Sequence, residues 1–520
     1  MNTTRPLVAS LLLAGIAFAC NLSAADSSLS ARIGEIINAP EYKHAHWGIL
    51  AVDLESGAVR FEHQADKLFA PASVTKLYSV AAALDELGAQ HRFETPVFRR
   101  GLVDKDGTLR GDFVLVASGD LALGGRTDGS GSIAFKDNDH TYANGGIAGE
   151  LTAPDPLAGL IELARQVAAS GIKRVRGDVL VDDRLFDKAE STGSGPSRLT
   201  PIMINDNLVD VLITPAKSGA PAIIITRPVS SALVVDGVVE TAATNAPLRI
   251  TLTAPAPGRL VVRGQIPEGH KPLLRVHEVD DASTWARALF IEALRRAGVA
   301  VDASPLAQNR HESLPARGSY KSEEQVAKLV SPPFAENVKL ILKVSHNLHA
   351  STLPLLVAAK HDRRTLAQGM RLQHDFLARS GVDVETISFG GGAGGARSDC
   401  VTPRATAQLL RAMAKRPDFA VYEAALPVLG VDGTLATHAD PASPARGKVK
   451  AKTGTFSWEN TMNARLLLNS KALAGYIETA KGGRLAFAVF VNNAHFDRPT
   501  ETQRIGKTLG KVAEILQQEF

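Results

Sequence analysis

Three short stretches hold residues whose types and spacing suit nucleophilic chemistry. They are Ser73 and Lys76 in PASVTKLYSVAAALDELG, Ser345 and Asn347 in VSHNLHAS, and Lys452, Thr453 and Gly454 in KAKTGTF. A serine hydroxyl attacks well only with a base in hydrogen-bond reach. Lysine serves as that base when burial or a neighbouring cation lowers its pKa. A spacing of three puts Ser73 and Lys76 on one face of a helix, and free N–H groups at the helix start favour developing negative charge. The pair alone says little, since S-x-x-K arises by chance roughly once or twice in a chain of this size. Ser170 and Lys173 form a second match, where a helix ends rather than begins. Lys452 is the candidate neighbouring cation; it alternates with Lys448 and Lys450, a pattern that a protected edge strand would also give. Ser345, His346 and Asn347 alone read as a polar patch. S-x-N and K-T-G each occur once, however, and follow S-x-x-K in that order.

The elements that must position these residues are legible in outline. HWGILAVDLESGAVRFEHQ reads as two strands around a turn at Glu55-Ser56-Gly57. Leu77, Val80, Leu84 and Leu87 recur at helical spacing behind Ser73, and Gly88 suits the helix end. Residues 98–317 carry short β-like runs separated by Gly and Pro, interrupted by helical PLAGLIELARQVAASG and, near the end, TWARALFIEALRRAG. The Gly-, Asp- and Asn-rich segment 124–155 predicts a long surface loop. After 320 the pattern is helical again, then come the K-T-G strand, a hairpin ALAGYIETAKGGRLAFAVFVNN, and a last helix. Ile505, Leu509, Val512 and Leu516 give that helix an apolar face, expected to cover the sheet rather than lie on a membrane.

The chain of 520 residues is long enough for several domains. Residues 1–25 read as a secretory signal peptide: Arg5, an apolar run from Leu7 to Ala19, and small residues Ser23, Ala24 and Ala25 for cleavage. Lipidation at Cys20 is the alternative, although Phe18 fits it badly. Cleavage leaves Cys400 as the only cysteine and lowers the net charge from +4 to +3. Export without a disulfide suits a periplasmic location. The charge is too mild, and too little clustered, to expect nucleic acid as a partner. No later segment is apolar enough for a transmembrane span.

The three motifs together match the set S-x-x-K, S-D-N and K-T-G of penicillin-binding proteins and class A β-lactamases. The chain resembles the low-molecular-weight class C penicillin-binding proteins, the D-alanyl-D-alanine carboxypeptidase/endopeptidases of peptidase family S13. The likeness extends to GDLAL near 119, RGDVLVDDRLFD at 176–187, INDNLVDVLITP at 204–215 and LPVLGVDGTLA at 426–436. The 272 residues from Ser73 to Ser345, and the 107 from there to Lys452, also fit. The resemblance implies a multidomain α/β architecture. A β-lactamase/transpeptidase-like domain, a five-stranded antiparallel sheet between helices, is expected from 26–97 and 318–520. Two nested, mostly β domains are expected from 98–190 with 264–317, and from 191–263. It implies no cofactor and no metal. Peptidoglycan stem peptides and cross-links are the expected substrates, and β-lactams the expected covalent inhibitors. Ser73 is the implied nucleophile and Lys76 its base. Ser345 would relay a proton to the leaving amine, and Asn347 would orient Lys76 and substrate. Lys452 and Thr453 would bind the terminal carboxylate, Gly454 would let substrate lie close, and the N–H groups of Ser73 and Thr455 would form the oxyanion hole. Arg397 would contact a substrate side chain.

The match has departures. His346 stands where Asp is commoner. Gly391, Gly392, Ala393 and Gly394 replace the usual Asp-Gly-Ser-Gly, which removes two polar side chains near the acyl site. This motivates the alternative of a catalytically degenerate peptidoglycan-binding module. A serine β-lactamase is the weaker rival, because the nearest string to its deacylating motif is EAALP, ending in Pro427. G-x-S-x-G and H-E-x-x-H are absent. DNDHTY from Asp137 loses the calcium-loop pattern after three positions, and His346 and His349 have no carboxylate nearby in sequence.

Overall fold

In the computed structural model the described residues are 29–145, 148–498 and 501–520. The expected signal peptide and Cys20 therefore lie outside the described residues. The first sheet runs, in spatial order, from the K-T-G strand Val449–Asn460 through Arg465–Glu478, Arg484–Asn492 and His46–Asp53 to Val59–His63. These five strands are antiparallel throughout, and the short strand Ala494–Phe496 also pairs with Arg465–Glu478. Strand alternation explains how one sheet supports two cores. Leu50, Val52, Ala486, Ala488 and Phe490 face one side, where the helix after Ser73 packs. Ile49, Ala51, Leu485, Phe487, Val489 and Val491 face the other. That second face is covered by the C-terminal helix Glu501–Glu519 through Ile505, Leu509, Val512 and Leu516.

The helix Thr75–Leu87 begins after a 3-10 turn at Ala72–Val74 that holds Ser73, and Gly88 ends it with φ 84°. It lies inside the protein rather than on its rim: Lys76, Leu77, Tyr78, Val80, Ala81 and Leu84 are all buried. On the same side of the sheet, the helix Pro403–Ala414 starts at Thr402, whose hydroxyl accepts the Ala405 N–H at 3.1 Å.

Residues between the two parts of this domain form further sheets. One orders Ala300–Val301, Arg174–Val175, Thr108–Val116, Glu94–Val103 and Gln325–Val330, with Val179–Asp182 added beside Thr108–Val116. Helices Ala158–Ala169 and Ala282–Arg296 bury Leu160, Leu163, Trp285, Leu289 and Phe290 against it. Glu94 and Gln325–Val330 belong to this sheet although they fall outside 98–317. Two three-stranded sheets follow, built from Leu208–Thr214, Ile223–Arg227 and Leu273–Glu278, and from Val234–Ala242, Arg249–Ala256 and Arg259–Pro267. They share a small core of Val211, Ile213, Val239, Leu260, Val262, Ile266 and Leu273. This unit therefore reaches to 278, past the expected edge at 263, because Leu273–Glu278 pairs with Leu208–Thr214. Among the described residues no helix is long and apolar enough to cross a membrane.

The expectation of a surface loop over 124–155 holds only in part. Residues 128–131 and 136–138 are exposed and irregular, but Arg126, Asp139, His140 and Thr141 are buried, and a 3-10 turn spans His140–Tyr142. Part of the segment's polarity is thus an internal charge network rather than a solvated surface.

Removing the Thr402 cap should cost ~1 kcal/mol, the usual worth of such a hydroxyl. Urea unfolding of Thr402→Ala beside Thr402→Ser measures it, with the serine variant expected near wild type.

Candidate active site

The structure brings the first two motifs into direct contact. Lys76 Nζ lies 2.8 Å from Ser73 Oγ, 2.7 Å from Asn347 Oδ1 and 2.8 Å from the Ala393 carbonyl. Oδ1 of Asn347 and the carbonyl can only accept, so they hold two N–H bonds whatever the charge of the amine. When Lys76 is neutral its lone pair is left facing Ser73. Burial, then the nearby Lys452 cation, holds the Lys76 pKa well below its ordinary value, partly opposed by Asp399. Asp399 is itself buried, which raises its pKa, while it accepts the N–H groups of Gly390 and Ala396.

The glycine-rich stretch lines this site with backbone: Ala393 C=O holds Lys76, and Gly392 C=O accepts the Ser79 hydroxyl at 2.8 Å. At Gly394 φ is +87°, and a Cβ would run into the carbonyl of Ala72. The turn that bears Ser73 is itself clamped to the sheet. Asn492 accepts the Ala70 N–H at 2.8 Å, Ser470 donates to the Ala70 carbonyl at 2.6 Å, and Ala72 adopts φ 46°. Such a φ is uncommon for a residue with a Cβ and is tolerated where surrounding packing enforces it.

Ser345 also has a left-handed φ of 65°. Its carbonyl accepts the Tyr142 hydroxyl at 2.6 Å, and no described group hydrogen-bonds its own hydroxyl. Asn347 Nδ2 donates to the carbonyl and the hydroxyl of Ser194, at 3.0 and 3.1 Å. Ser194 and Tyr142 were missed in the sequence because they arrive from the inserted segment and carry no motif. Ser170 is a helix end that bonds only the Val167 carbonyl, at 2.7 Å, so the second S-x-x-K match brings no lysine to a serine.

The K-T-G strand is an edge strand, as the alternating lysines suggested. Lys448 and Lys450 form ion pairs with Glu478 and Glu423, whereas Lys452 is fully buried and donates to the Thr453 carbonyl at 2.9 Å. Burial, with the neighbouring Lys471, lowers the Lys452 pKa to about 7. The segment at Pro427–Leu429 bonds to the outer edge at Val449 and Ala451, both at 2.9 Å. The edge beyond Ala451 is left uncovered by it. Gly454 is needed for a reason nearer than substrate: a Cβ would meet the carbonyl of Pro71, beside the nucleophile. Thr453 and Thr434 share a 2.7 Å hydroxyl bond. Thr455 is exposed, and its hydroxyl accepts Lys471 Nζ at 2.9 Å. Arg397 is exposed and stacks on Trp458, 4.6 Å from the ring centroid.

The pair His346/His349 does have carboxylates, from distant chain. Arg126 reaches Asp139 and Asp206 at 2.7 Å each. Asp206 bonds His349 Nε2 at 2.6 Å and His140 Nε2 at 2.9 Å, and Asp210 bonds the other His140 nitrogen at 2.6 Å. Burial alone would lower the His140 pKa, but Asp139, Asp206 and Asp210 raise it to about 10. Burial would likewise raise Asp139 and Asp206, yet Arg126 and the histidines hold both below the ordinary carboxylate range. Donor atoms of Asp206, His346 and His349 come close enough to consider a metal ion. The donor set does not fit one. His346 Nδ1 accepts the His349 backbone N–H at 3.3 Å and caps that helix, which puts the ring proton on Nε2, where a metal would need a lone pair. The cluster is a buried brace beneath Ser345 and Asn347.

A family model described as the D-Ala-D-Ala carboxypeptidase 3 (S13) family matches residues 29–512. The chain belongs to this family. It is 28% identical over 485 residues to a D-alanyl-D-alanine carboxypeptidase of Actinomadura sp. (strain R39), covering 89% of this chain and 80% of that one. It is 23% identical over 462 residues to a D-alanyl-D-alanine carboxypeptidase of Haemophilus influenzae, covering 86% and 85%. The crystal structure of penicillin-binding protein 4 from Haemophilus influenzae shares the fold, with TM-score 0.67, 20% identity, and coverage of 92% and 97%. A second structure of that protein, in complex with a β-lactam, gives TM-score 0.65 at 21% identity, covering 91% and 97%. This S13 chain is thus a serine-type D-Ala-D-Ala carboxypeptidase, a hydrolase, by family and relatives.

Arg126→Met would remove the buried cation that Asp139 and Asp206 share, and stability should fall by ~3–5 kcal/mol. Both pKa values are depressed in the folded state, so their contribution is present above ~pH 4 and lost below it. Urea unfolding at neutral and acid pH should show the gap between wild type and variant narrowing in acid.

Proposed function

We propose that this S13 protein is a D-alanyl-D-alanine carboxypeptidase and DD-endopeptidase that works through an acyl-enzyme on Ser73. The observation that carries the reading is the Lys76 amine, buried and held by two pure acceptors so that its remaining valence faces Ser73 Oγ. Ser73 Oγ attacks the carbonyl carbon of the penultimate D-alanine while its proton passes to Lys76 Nζ. The Oγ–C bond forms, and the C–N bond to the terminal D-alanine breaks. The leaving nitrogen takes up a proton by way of Ser345. Water then adds to the ester, and Ser73 regains its proton as the acid departs. Asn347 keeps the lysine aimed, Lys452 and Thr453 receive the carboxylate of the leaving residue, and the Ser73 and Thr455 N–H groups receive the oxyanion. Preorganised donors of this kind are commonly worth about 3 kcal/mol each. A cross-link presents the same bond with a longer leaving chain, which gives the endopeptidase reaction.

Penicillins enter as carboxylate-bearing acyl donors and are expected to remain bound. Glu423, the glutamate of EAALP, is engaged by Arg484 and Lys450, which favours slow deacylation over β-lactamase turnover. Against the degenerate-module alternative stands the contact of Lys76 with both Ser73 and Asn347, formed despite the lost side chains at Gly391 and Ala393. Peptidoglycan peptides as substrate, export by the N-terminal segment and a periplasmic site of action complete the reading, supported by the family and by the leader-like first 25 residues.

Labelling with a fluorescent penicillin should give a stable adduct on wild type and none on Ser73→Ala. The stability of the variant should stay within ~1 kcal/mol. Labelling or D-alanine release retained by Ser73→Ala rejects the mechanism.

Lys452 must be protonated to attract a carboxylate, and kcat/KM reports the free enzyme. With its pKa at about 7, kcat/KM for a D-Ala-D-Ala peptide should decline as pH rises through that value. A pH–rate profile flat from 6 to ~9 would remove Lys452 from substrate binding.

A further inference from the structure

A third buried lysine lies beside the site and has no role in the mechanism so far. Lys471 sits on the strand next to the K-T-G strand, directly opposite Thr455 in register. Opposed residues of an antiparallel pair project to the same face, so both side chains share the face that carries Thr453. Lys471 is only 6% exposed, yet its sole hydrogen bond runs to the Thr455 hydroxyl at 2.9 Å. Among the described residues no carboxylate lies within ion-pair distance of it, and burial is the cause of its pKa falling to about 8. The buried His438 nearby offers no compensation: burial, with Lys471 and Lys507, lowers its pKa to about 3, and it is neutral. A buried cation without a counter-charge is costly unless something supplies the charge. Lys452, whose own pKa Lys471 depresses, has no carboxylate partner either.

We propose that Lys471 is a positioning residue that, through the Thr455 hydroxyl, selects acyl donors with a free carboxylate on the leaving side. The inference rests on the acyl-enzyme reading above and adds a residue to it. The Thr455 oxygen accepts from Lys471, so its own proton is free to point outward. A carboxylate at the open face of the strand takes that O–H and the field of the ammonium behind it. Thr453, two residues back on the same face, approaches the same anion from further along the strand. The terminal D-alanine carboxylate and the carboxylate of a penicillin are both acyl-donor groups of this kind. A charge-assisted contact of this sort is worth roughly ten- to a hundredfold in binding. The sequence signal was present but easily passed over: SKALAGY puts one lysine in an otherwise apolar strand, where a charged residue needs a partner.

The test compares two substrates on wild type, Lys471→Met and Lys471→Arg. One is a peptide ending in D-Ala-D-Ala with its free acid, and the other is the same peptide as its C-terminal amide. Wild type should favour the acid strongly. Lys471→Met should lose about ten- to a hundredfold in kcat/KM on the acid and little on the amide, with Lys471→Arg retaining part of the preference. Thr455→Val should reduce the acid-to-amide preference, by less than Lys471→Met does. Equal losses on acid and amide would mean that Lys471 only supports the strand, and no loss would mean that it is idle; either overturns the proposal. Should Lys471→Met fail to fold, Lys471→Arg and Thr455→Val carry the same comparison. Wild type that acylates with neither compound would sink the Ser73 mechanism itself. Acylation by wild type with an unchanged acid-to-amide ratio in the variants sinks this inference alone.

Discussion

The constraint on which the site depends is the burial of the Lys76 amine among acceptors that cannot give it a proton. An exposed lysine at neutral pH is an ammonium and no base at all. Here the amine is enclosed by the helix that bears it, the Asn347 amide and the Ala393 carbonyl, with Lys452 adding repulsion. Each of those partners comes from a different part of the chain. Bringing them together is therefore the work of the sheet, its two cores and the inserted segment, and a change to any of them reaches the aim of one lone pair.

The inserted region takes part in that aim. Tyr142 grips the Ser345 carbonyl, Ser194 fixes the far side of the Asn347 amide, and the Arg126, Asp139 and Asp206 network stands beneath the His346 ring. Left-handed backbone at Ala72 and Ser345 shows where packing, rather than local preference, determines the geometry. The catalytic domain of this S13 chain thus borrows rigidity from chain that a compact relative would lack.

The core of the site was legible in the sequence because its signals are local. Ser73 and Lys76 are three apart on one helix, and Lys452, Thr453 and Gly454 are consecutive on one strand. The sheet was legible for a similar reason, since its hairpins alternate strongly. What escaped depends on register or on distant chain. Lys471 matters only because it faces Thr455 across a ladder, and Asp206 meets His349 across a gap of 143 residues. Within the segment 124–155 the buried network escaped because a run of charged and small residues looks the same whether water or opposite charge satisfies it. At the glycine-rich stretch the lost side chains drew attention away from the Ala393 carbonyl, whose contact with Lys76 no side-chain pattern announces. The strand Leu273–Glu278 lay past the expected edge of its unit because it returns to pair with a strand far earlier in the chain.

The partial covering of the K-T-G strand has a consequence for self-association. A naked edge of this length would be a template for another copy's strand, with every second backbone group asking for a partner. The segment at Pro427–Leu429 occupies the edge at Val449 and Ala451 and stops there. The strand itself runs on to Asn460, so the edge from Lys452 onward is left open by that segment. One short piece of chain thereby withdraws the first part of the edge from pairing with another copy and fixes where the open part begins.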